Sequence, residues 1–326
     1  DILCETCDLE YTNEFDGIYE NPDNDVISGN NISNEYSKIA KTNVTHSVEY
    51  RPLAIQPLVN PEKEYKFTVV SGASRNHFCP LKSWIYMTNK VLKGFDARIV
   101  VYDLGLSKKQ RKGLLKLVKL GYITDLRIFK FSEYPSFWNI SIARGEYGWK
   151  PAIVAEVARD YPGTLIWLDS GTLAERKYFA NLPKLLKKYD GFISPVSQGQ
   201  MRKWTHPGVY EYFDDEHWKY DNYLNCNGAS LTFDTYITEK LIDAWYRCSL
   251  DKNCIAPPGS SRANHRQDQS ILTYLAARDG WFCSVRPPKL WLKTHQDKGC
   301  KSIVKAFEAK KKKPNETLHE SINNRG

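Results

Sequence analysis

Several signatures of familiar protein classes are missing from this chain. Its 326 residues contain no apolar run of about 18 residues, so we expect no transmembrane helix within them. There is no GxGxxG fingerprint and no P-loop, so neither a dinucleotide-binding protein nor a P-loop NTPase is indicated. No GxSxG sequence is present, which argues against an α/β-hydrolase. No basic motif interleaved with aromatic residues occurs, and we therefore expect no nucleic-acid partner.

The cysteines do not complete a zinc site. Cys4 and Cys7 have CxxC spacing, but no second CxxC and no pair of histidines accompanies them. The eight cysteines form an even set, and with four Asn-x-Ser/Thr sequons they favour a secretory-pathway protein with disulfide bonds. We predict a bridge between Cys248 and Cys254, which lie close together after a helix, and the other pairings stay open. The sequons begin at Asn31, Asn43, Asn139 and Asn315.

These features lead to an expected location. We expect a protein of the Golgi lumen, anchored as a type II membrane protein, or a secreted one. The sequence begins at Asp1 without a signal peptide, so we expect either a processed chain or one whose membrane anchor has been removed. Contact with a membrane would then be made only through that anchor. The alternative is a cytosolic α/β enzyme with free thiols, which a count of free thiols would distinguish.

The bulk composition is that of a soluble globular protein, with 41% hydrophobic and 26% charged residues. A chain of 326 residues has room for one large α/β domain or two smaller ones. Aromatic residues are abundant at 13%, and nine Trp and twenty Tyr offer apolar faces with polar edges, which suit sugar rings. The net charge of +8 suits an anionic small ligand such as a nucleotide diphosphate.

Strand and helix patterns alternate from Lys66 onward. Ser107 and Gln110 form a capping box that begins a helix, and Gly121 ends it. Strands are predicted at Phe67–Val70, Arg98–Tyr102 and Leu126–Phe131, and a helix from the turn Ser71–Ser74 to about Lys93. Repeated alternation favours crossover connections, so we predict an α/β fold with a Rossmann-like, mostly parallel sheet flanked by helices. Residues 1–60, rich in Asn, Asp, Glu and Ser, are predicted to form an irregular stem.

The most informative run begins at Trp149. Pro151 suits the first turn of a helix, where its missing N–H costs nothing, and the helix must end before Pro162. Thr164–Leu168 is then a short apolar run typical of a buried parallel strand. That strand delivers a lone carboxylate, Asp169, to the carboxyl edge of the sheet, where open α/β proteins bind ligands. The competing interpretation is that Asp169 only caps a turn.

The first two strands end in candidate binding residues. Ser71, Gly72 and Ala73 are small, and with Arg75 they would let a nucleotide approach the backbone beside the positive end of a helix. Asp103, at the end of the second strand, is a candidate for a hydrogen bond to a base or ribose.

The second half of the chain is less regular. Strands are predicted at Gly191–Ser194 and Ala229–Phe233, and helices at Thr235–Arg247 and Asp268–Ala277. A polar turn containing Gly228 precedes the second of these strands. Asp268 and Gln269 open the last helix, where polar residues are often only caps. His295 follows in a polar segment, and a lone histidine is more often structural than functional.

In this order the motifs resemble the nucleotide-sugar-dependent glycosyltransferases of the GT-A fold, over about residues 65–300. The resemblance rests on Trp167–Gly171 (WLDSG), Asn225–Phe233, Arg266–Ser270 (RQDQS) and His295. It implies transfer of a sugar from a nucleotide sugar, a UDP-sugar in our prediction, to a hydroxyl of a glycan or glycoprotein. It also implies one catalytic domain, predicted as residues 61–326: a nucleotide-binding half (61–171), an acceptor half (172–300) and a basic tail (301–326).

The family's carboxylate motif is usually Asp-x-Asp, and it holds a divalent cation against the donor diphosphate. Gly171 stands here in place of the second Asp, so the resemblance leaves Asp169 and His295 as candidate ligands of Mn²⁺. Manganese dependence therefore stays open. Candidates to supply positive charge in a metal-independent enzyme are Lys150, Arg144, Lys293 and Lys298.

The resemblance also assigns the remaining site residues. Asp268 and Asp169 are predicted to be catalytic; Asp268 would be the base for the acceptor hydroxyl in an inverting enzyme, or would orient that hydroxyl. Donor contacts are predicted at Ser71, Gly72, Ala73, Arg75, Asp103, Lys150, Asp169, Gly171, Lys293 and Lys298. Acceptor contacts are predicted at Asn227, Gly228, Gln269 and Trp204, with Trp138, Trp149 and Trp218 as further loop aromatics. The alternative function is a catalytically silent relative that binds glycans or a partner protein, because the second Asp is missing.

Overall fold

The structure, a computed structural model, describes residues 64–312, with side chains up to residue 309. Its strands are Phe67–Ala73 (β1), Ala97–Asp103 (β2), Asp125–Ile128 (β3), Thr164–Leu168 (β4), Leu173–Ala174 (β5), Phe192–Ile193 (β6), Val196–Gln200 (β7), Leu224–Cys226 (β8), Ser230–Asp234 (β9) and Leu292–Lys293 (β10). Its α-helices are Phe78–Val91 (α1), Lys108–Lys119 (α2), Trp149–Asp160 (α3), Arg176–Ala180 (α4), Leu182–Lys188 (α5), Met201–Trp204 (α6), Pro207–Tyr212 (α7), Glu239–Leu250 (α8), Lys252–Ile255 (α9), Asp268–Arg278 (α10) and Cys300–Lys312 (α11). Short 3₁₀ turns lie at Arg75–His77, Phe131–Glu133, Ser136–Trp138, His217–Lys219, Pro287–Leu290 and Asp297–Gly299.

A six-stranded sheet, in the order β3-β2-β1-β4-β9-β6, forms the centre of the fold. The strands from β3 to β4 are parallel, and Val70 of β1 lies beside Val100 of β2 and Trp167 of β4. β9 runs antiparallel to both of its neighbours, β4 and β6. Two smaller antiparallel pairs, β5–β10 and β7–β8, complete the described sheets. The prediction of an α/β fold with a mostly parallel sheet flanked by helices is confirmed.

The local signals around the middle of the sheet correspond to the structure. α3 contains Pro151 in its first turn and ends at Asp160, two residues before Pro162, and β4 follows over the predicted residues. In α2, Ser107 Oγ accepts from the backbone N–H of Gln110, whose side chain accepts from the Ser107 N–H. These helix and strand boundaries are confirmed because each is fixed by a nearby proline or cap.

Other boundaries differ from the prediction. β1 continues through Ser71 and Gly72 to Ala73, where a turn was predicted, because β2 extends equally far and pairs with it. The third strand ends at Ile128, and Phe131 already belongs to a 3₁₀ turn. The helix predicted from Thr235 begins at Glu239, after a turn that follows the end of β9.

The core lies on both faces of the sheet. Along β4, Leu165 and Trp167 belong to the cluster beneath α3, α8 and α10, while Ile166 and Leu168 belong to the cluster beneath α1 and α2. Side chains of a strand alternate between faces, so burial on both sides explains its unbroken apolar sequence. The strand therefore holds the residues that follow it in a fixed position.

Three disulfides occur in the described part of the chain. Cys248–Cys254 confirms the predicted bridge, and Cys226–Cys283 and Cys79–Cys300 join residues farther apart. The last of these ties α1 to the start of α11. Cys4, Cys7, the predicted stem and most of the predicted basic tail lie outside the described residues. Between residues 64 and 312, no helix combines the length and apolarity needed to cross a bilayer.

A buried ion-pair network attaches α3 to the sheet. Arg127, on β3, donates from Nε to Asp125 at 2.6 Å and from a terminal nitrogen to Glu156 at 2.8 Å and Asp160 at 2.7 Å. Its side chain is only 4% exposed. Burial alone would lower the pKa of Arg127, but Tyr102 and the carboxylates raise it above its ordinary value. This network fixes the helix whose first turn carries Lys150.

Candidate functional site

The side chain of Lys150 is the centre of the candidate site. It projects from the first turn of α3 and is 5% exposed. Its Nζ lies 3.1 Å from Asp169 Oδ1, after β4, and 3.4 Å from Asp268 Oδ2, at the start of α10. It also donates to the backbone oxygen of Gly228 at 3.0 Å. One ammonium therefore joins three segments that are far apart in the sequence.

Burial and charge act in opposite directions on this cluster. Burial alone would lower the pKa of Lys150, but the carboxylates of Asp169 and Asp268 raise it above the ordinary lysine value. Burial raises the pKa of Asp268, and the neighbouring ammonium offsets this only in part. Asp268 Oδ2 makes the ion-pair contact with Lys150 but has no hydrogen bond of good geometry. The cluster holds a charged lysine and a buried carboxyl that retains free acceptor capacity.

Asp169 is the accessible member of the cluster. Its Oδ1 accepts from Trp167 Nε1 at 2.7 Å and faces Lys150, and its backbone N–H donates to Ala229 on the β9 side. Its side chain is 41% exposed, and no group among residues 64–309 bonds its Oδ2. Asp169 can therefore present one fixed carboxylate oxygen to a ligand at the edge of the sheet.

The turn before β9 and the start of α10 meet beside this carboxylate pair. A Cβ on Gly228 would come within 3.3 Å of Gln269 Cβ and 3.7 Å of Asp268 Oδ2, so only glycine leaves the space open. Asn227 is nearly buried, and its Oδ1 accepts from the Ala229 N–H at 3.0 Å, which shapes the turn. Of the predicted acceptor residues, the structure thus brings Gly228 and half-buried Gln269 against Asp268.

Gly171 makes a close contact that the sequence did not indicate. A Cβ at this position would collide with the carboxylate of Asp297, which lies directly against the glycine. The backbone N–H of Gln296 also donates to the Gly171 oxygen at 2.8 Å. The segment that carries His295 is therefore docked on the turn after β4, with Asp297 facing that turn. Sequence spacing gave no signal for Asp297, since the contact spans more than a hundred residues.

His295 has a positive φ of 56° and an exposed side chain. Within the described ranges, no group of three or more His, Cys, Asp or Glu side chains is arranged to hold a metal ion. Asp169 and His295 do not belong to such a group, and their binding of Mn²⁺ stays a prediction.

The predicted donor residues on the first strands have structural roles. Ser71, Gly72 and Ala73 are buried inside β1, and Gly72 is small because its Cβ would come within 3.1 Å of Tyr102 Cβ. Asp103 is fully buried: Oδ1 accepts from the N–H groups of Gly105 and Leu106, and Oδ2 pairs with Arg111. The turn predicted at residues 71–73 is therefore wrong, because β1 runs through these residues. Contact of Ser71, Gly72, Ala73 and Asp103 with a donor stays a prediction.

The remaining predicted cations lie on the surface. Arg75 is exposed in the 3₁₀ turn after β1, at the same edge of the sheet as Asp169. Lys293, on β10, lies 3.3 Å from Glu175 and is 63% exposed. Lys298 is exposed in the turn that follows Asp297. Lys150, in contrast, is buried in direct contact with the carboxylate pair.

The tryptophans divide between core and surface. Trp138 is fully buried, donating to the Ser249 oxygen, and Trp149 is also part of the core, as expected for some of these aromatic residues. Trp218 is 64% exposed. Trp204 is half-buried beside the start of α10, where its backbone oxygen accepts from the N–H of Arg266. The fold thus places Trp204 next to the Asp268 helix.

A left-handed segment immediately before α3 was missed by sequence analysis. The φ angles of Ala143–Tyr147 are all positive, between 44° and 66°, although only Gly145 is glycine. Left-handed backbone costs roughly 1–2 kcal/mol per residue with a side chain, so tertiary contacts must hold it. Trp138 does so, because its backbone fills the space beside Gly145 and its indole the space beside Gly148.

The residues before Asp268 are also unusual. Gln267 has a φ of 43°, and its Nε2 donates to Glu146 of the left-handed segment at 3.2 Å. His265 is fully buried; its Nε2 donates to the Ile255 oxygen at 2.9 Å, and its Nδ1 accepts from the His206 N–H. Burial lowers the pKa of His265 to about 4, so the ring is neutral. These contacts set where α10 begins, and with it the place of Asp268.

Comparisons with known proteins give little identity in sequence. A family model described as a protein of unknown function (DUF1647) matches residues 4–155. No curated protein matches this chain.

Solved structures with a similar chain path include three glycosyltransferases. The galactosyltransferase LgtC, solved with donor and acceptor sugar analogs, is 16% identical over 64% of this chain and 70% of its own, with a TM-score of 0.41. The mannosyltransferase Ktr4p from S. cerevisiae is 8% identical over 68% and 69%, with a TM-score of 0.45. The mannosyltransferase PcManGT from Pyrobaculum calidifontis, solved with GDP-Man and Mn²⁺, is 15% identical over 74% and 59%, with a TM-score of 0.39.

Proposed function

We propose that this protein is a glycosyltransferase that moves a sugar from a nucleotide-sugar donor to a hydroxyl group of a glycan or glycoprotein. The observation that carries the proposal is the Lys150–Asp169–Asp268 cluster at the carboxyl edge of the parallel strands. Ligands of open α/β sheets bind at that edge. The order of the sequence motifs, which resembles that of GT-A glycosyltransferases, supports the same function.

The three residues divide the chemistry between them. The acceptor oxygen attacks the anomeric carbon, and the bond from that carbon to the diphosphate oxygen breaks, leaving its electron pair on the nucleotide. Asp268, whose pKa is raised by burial, takes the proton of the hydroxyl if the reaction inverts the configuration, and otherwise orients that hydroxyl. Asp169 contacts the donor through its free Oδ2. Lys150 holds both carboxylates in place and offsets part of their charge.

The donor nucleotide and the location belong to this proposal. We propose UDP as the nucleotide, from the resemblance, and the lumen of the secretory pathway, the Golgi in particular, or secretion as the location. The disulfides Cys79–Cys300, Cys226–Cys283 and Cys248–Cys254 support an oxidising compartment. Asn139, the sequon within the described residues, is exposed and therefore accessible to glycosylation.

A catalytically silent relative that binds glycans or a partner protein is the second candidate. It is favoured by Gly171, which stands where the resemblance would place a second acidic residue. Asp297 reduces the weight of that argument, because its carboxylate lies against the same glycine. Transfer, or slow hydrolysis of a nucleotide sugar, would exclude the silent alternative.

Thermal stabilisation by donor compounds tests the proposal first. The panel contains UDP, GDP and CMP and their sugars, each with Mn²⁺ or with EDTA. A ligand at 100 times its dissociation constant stabilises the folded state by about 2.7 kcal/mol, which is easily measured. Stabilisation by one nucleotide would support a donor site and identify its base. No stabilisation by any of them, in a folded sample, would contradict the proposal.

Substitution of Asp169 tests the site. Asp169→Ala should abolish transfer or donor hydrolysis and leave the melting temperature near that of the parent, since the side chain is partly exposed. Asp243→Asn, on the exposed face of α8, is the matched control and should retain activity. Equal activity in the two variants would show that Asp169 is not in the site.

A further inference from the structure

Two arginines converge on one tyrosine at the rim of the site. Arg144, in the left-handed segment, lies with a terminal nitrogen 3.5 Å from the Tyr147 hydroxyl, and Arg262 donates to the same oxygen at 3.3 Å. The Arg262 guanidinium also lies over the Tyr147 ring, 5.5 Å from its centre. Both arginine side chains are exposed. Two positive groups thus approach a single neutral acceptor from different segments of the chain.

A third arginine continues this positive surface. Arg266 stacks on the Trp204 ring at 3.9 Å, and its Nε is buried without a hydrogen-bond partner. Burial lowers the pKa of Arg266, and the positive charge of the nearby Arg262 lowers it further. A guanidinium group stacked on an aromatic ring keeps its N–H groups free to bind an anion that lies in the plane of the guanidinium.

Carboxylates in the described part of the chain do not neutralise the charges of this surface. Within residues 64–309, no carboxylate oxygen lies within 4.0 Å, the distance of an ion pair, of a guanidinium nitrogen of Arg144, Arg262 or Arg266. Glu146 is the acidic residue of the left-handed segment, and its carboxylate accepts from Gln267 Nε2 instead. Three arginines against one glutamate leave a local excess of positive charge. An anion placed between them would relieve their mutual repulsion.

The arginines lie next to the Asp268 side of the candidate site. The Tyr147 ring, which Arg144 and Arg262 approach, is centred 6.0 Å from Lys150 Nζ. Arg266 precedes Asp268 by two residues, and Gln267 links this stretch to Glu146. Asp268 is the residue proposed above to contact the acceptor hydroxyl. The positive surface therefore borders the part of the site that the acceptor would occupy.

We propose that Arg144, Arg262 and Arg266 bind an anionic group, a carboxylate or a sulfate, on the acceptor glycan, so that the enzyme selects an acidic glycan. The proposal rests on the proposed function. The forked N–H groups of arginine match the paired oxygens of a carboxylate or sulfate and can bind them through two parallel hydrogen bonds. Tyr147 and Trp204 provide the rings on which the guanidinium groups are held and against which a sugar can pack.

Binding of two oligosaccharides of equal length tests the proposal. Calorimetry compares a hyaluronan hexasaccharide, with a carboxylate on every second sugar, with neutral chitohexaose, both in the presence of UDP. A chondroitin sulfate hexasaccharide then separates sulfate from carboxylate recognition. We expect the acidic oligosaccharide to bind at least about tenfold more tightly than the neutral one, with an affinity that falls as salt is added.

Single substitutions identify the residues. Arg262→Gln and Arg144→Gln should each weaken binding of the acidic hexasaccharide about tenfold and leave chitohexaose and UDP binding unchanged. Arg247→Gln is the control, because it removes an exposed arginine paired with Asp243 on α8. It should leave the affinities for the acidic hexasaccharide, chitohexaose and UDP unchanged. Melting temperatures of all variants establish that they are folded.

Different outcomes separate the two proposals. Equal affinity for the acidic and neutral hexasaccharides, or unchanged affinity in both arginine variants, would overturn the proposal of an acidic acceptor. The proposed glycosyltransferase activity would still stand if turnover of a nucleotide sugar were measured. A loss of UDP affinity in the arginine variants would also overturn the proposal of an acidic acceptor, because the arginines would then serve the donor diphosphate. Arginine-dependent binding of the acidic hexasaccharide without any nucleotide binding would instead support the anion site and contradict the proposed transferase.

Discussion

The carboxylate of Asp297 fills the space beside Gly171 that a side chain at position 171 would need. The adjacent hydrogen bond from Gln296 to the Gly171 oxygen fixes this contact. The turn after β4 carries the carboxylate of Asp169, and Asp297 brings a second carboxylate to this turn from more than a hundred residues away. The glycine and the aspartate are therefore structurally dependent on each other.

Gly171→Ala should destabilise the protein by about 1–3 kcal/mol, because the new methyl group displaces the Asp297 carboxylate from a packed turn. Urea unfolding measures the change. The double variant Gly171→Ala, Asp297→Gly should recover most of the loss, since the second substitution makes room for the methyl group. Gly299→Ala is the control, because a Cβ there meets no atom within 4 Å. An equal loss in the control would contradict the proposed contact.

Lys150→Met should cost about 3–5 kcal/mol of unfolding free energy at pH 7, because Asp268 is left buried and charged without its partner. This loss of unfolding free energy should be smaller at pH 5, because protonation of Asp268 removes its buried charge. A carboxyl whose pKa is raised by folding binds more protons in the folded than in the unfolded state, so stability rises as the pH falls. Urea unfolding at both pH values measures this.

Lys130→Met is the control for that substitution, since Lys130 forms an exposed pair with Glu133. It should change the unfolding free energy by less than about 0.5 kcal/mol at either pH. A loss for Lys150→Met that does not depend on pH would show that Asp268 does not titrate in response to the missing ammonium.

Stability should fall as the pH decreases from 6.5 to about 4 because of His265. Its folded pKa is lowered from 6.5 to about 4, so in this window the unfolded state binds a proton that the folded state does not. The shift corresponds to about 3 kcal/mol of unfolding free energy. His265→Gln should flatten the pH dependence in urea unfolding, whereas His217→Gln, at an exposed position, should keep it. The same slope in both variants would rule out His265 as its source.

Arg127→Met should destabilise the fold by about 3–5 kcal/mol, because Asp125, Glu156 and Asp160 lose the cation they share in a buried site. Denaturation in urea gives the magnitude. Arg247→Met removes an exposed arginine from an i,i+4 pair and should cost no more than about 0.5 kcal/mol. A similar loss of unfolding free energy in the two variants would mean that burial of the ion-pair network does not increase its contribution to stability.

The candidate site was only partly predictable from sequence. The position of Asp169 was predictable because Pro151, Pro162 and the apolar run Thr164–Leu168 fix the preceding helix and strand locally. Small residues such as Ser71–Ala73 are ambiguous, since they suit a turn as well as a crowded buried strand. Contact with Tyr102 on the neighbouring strand decides for the strand. The hydrogen bonds of Asp103 were likewise not predictable, because its Oδ1 accepts from backbone N–H groups of the loop that follows β2.

The alternation of strands and helices, the mostly parallel sheet and the carboxylate after β4 were predictable from the amino-acid sequence, because hydrophobic period, caps and prolines act over a few residues. Packing in three dimensions, by contrast, joins Asp169 to Asp268 through Lys150, brings Asp297 against Gly171 and presents Arg144 on a left-handed segment. These contacts connect residues separated by long stretches of chain. No local pattern encodes them, since each depends on how the sheet and its helices pack.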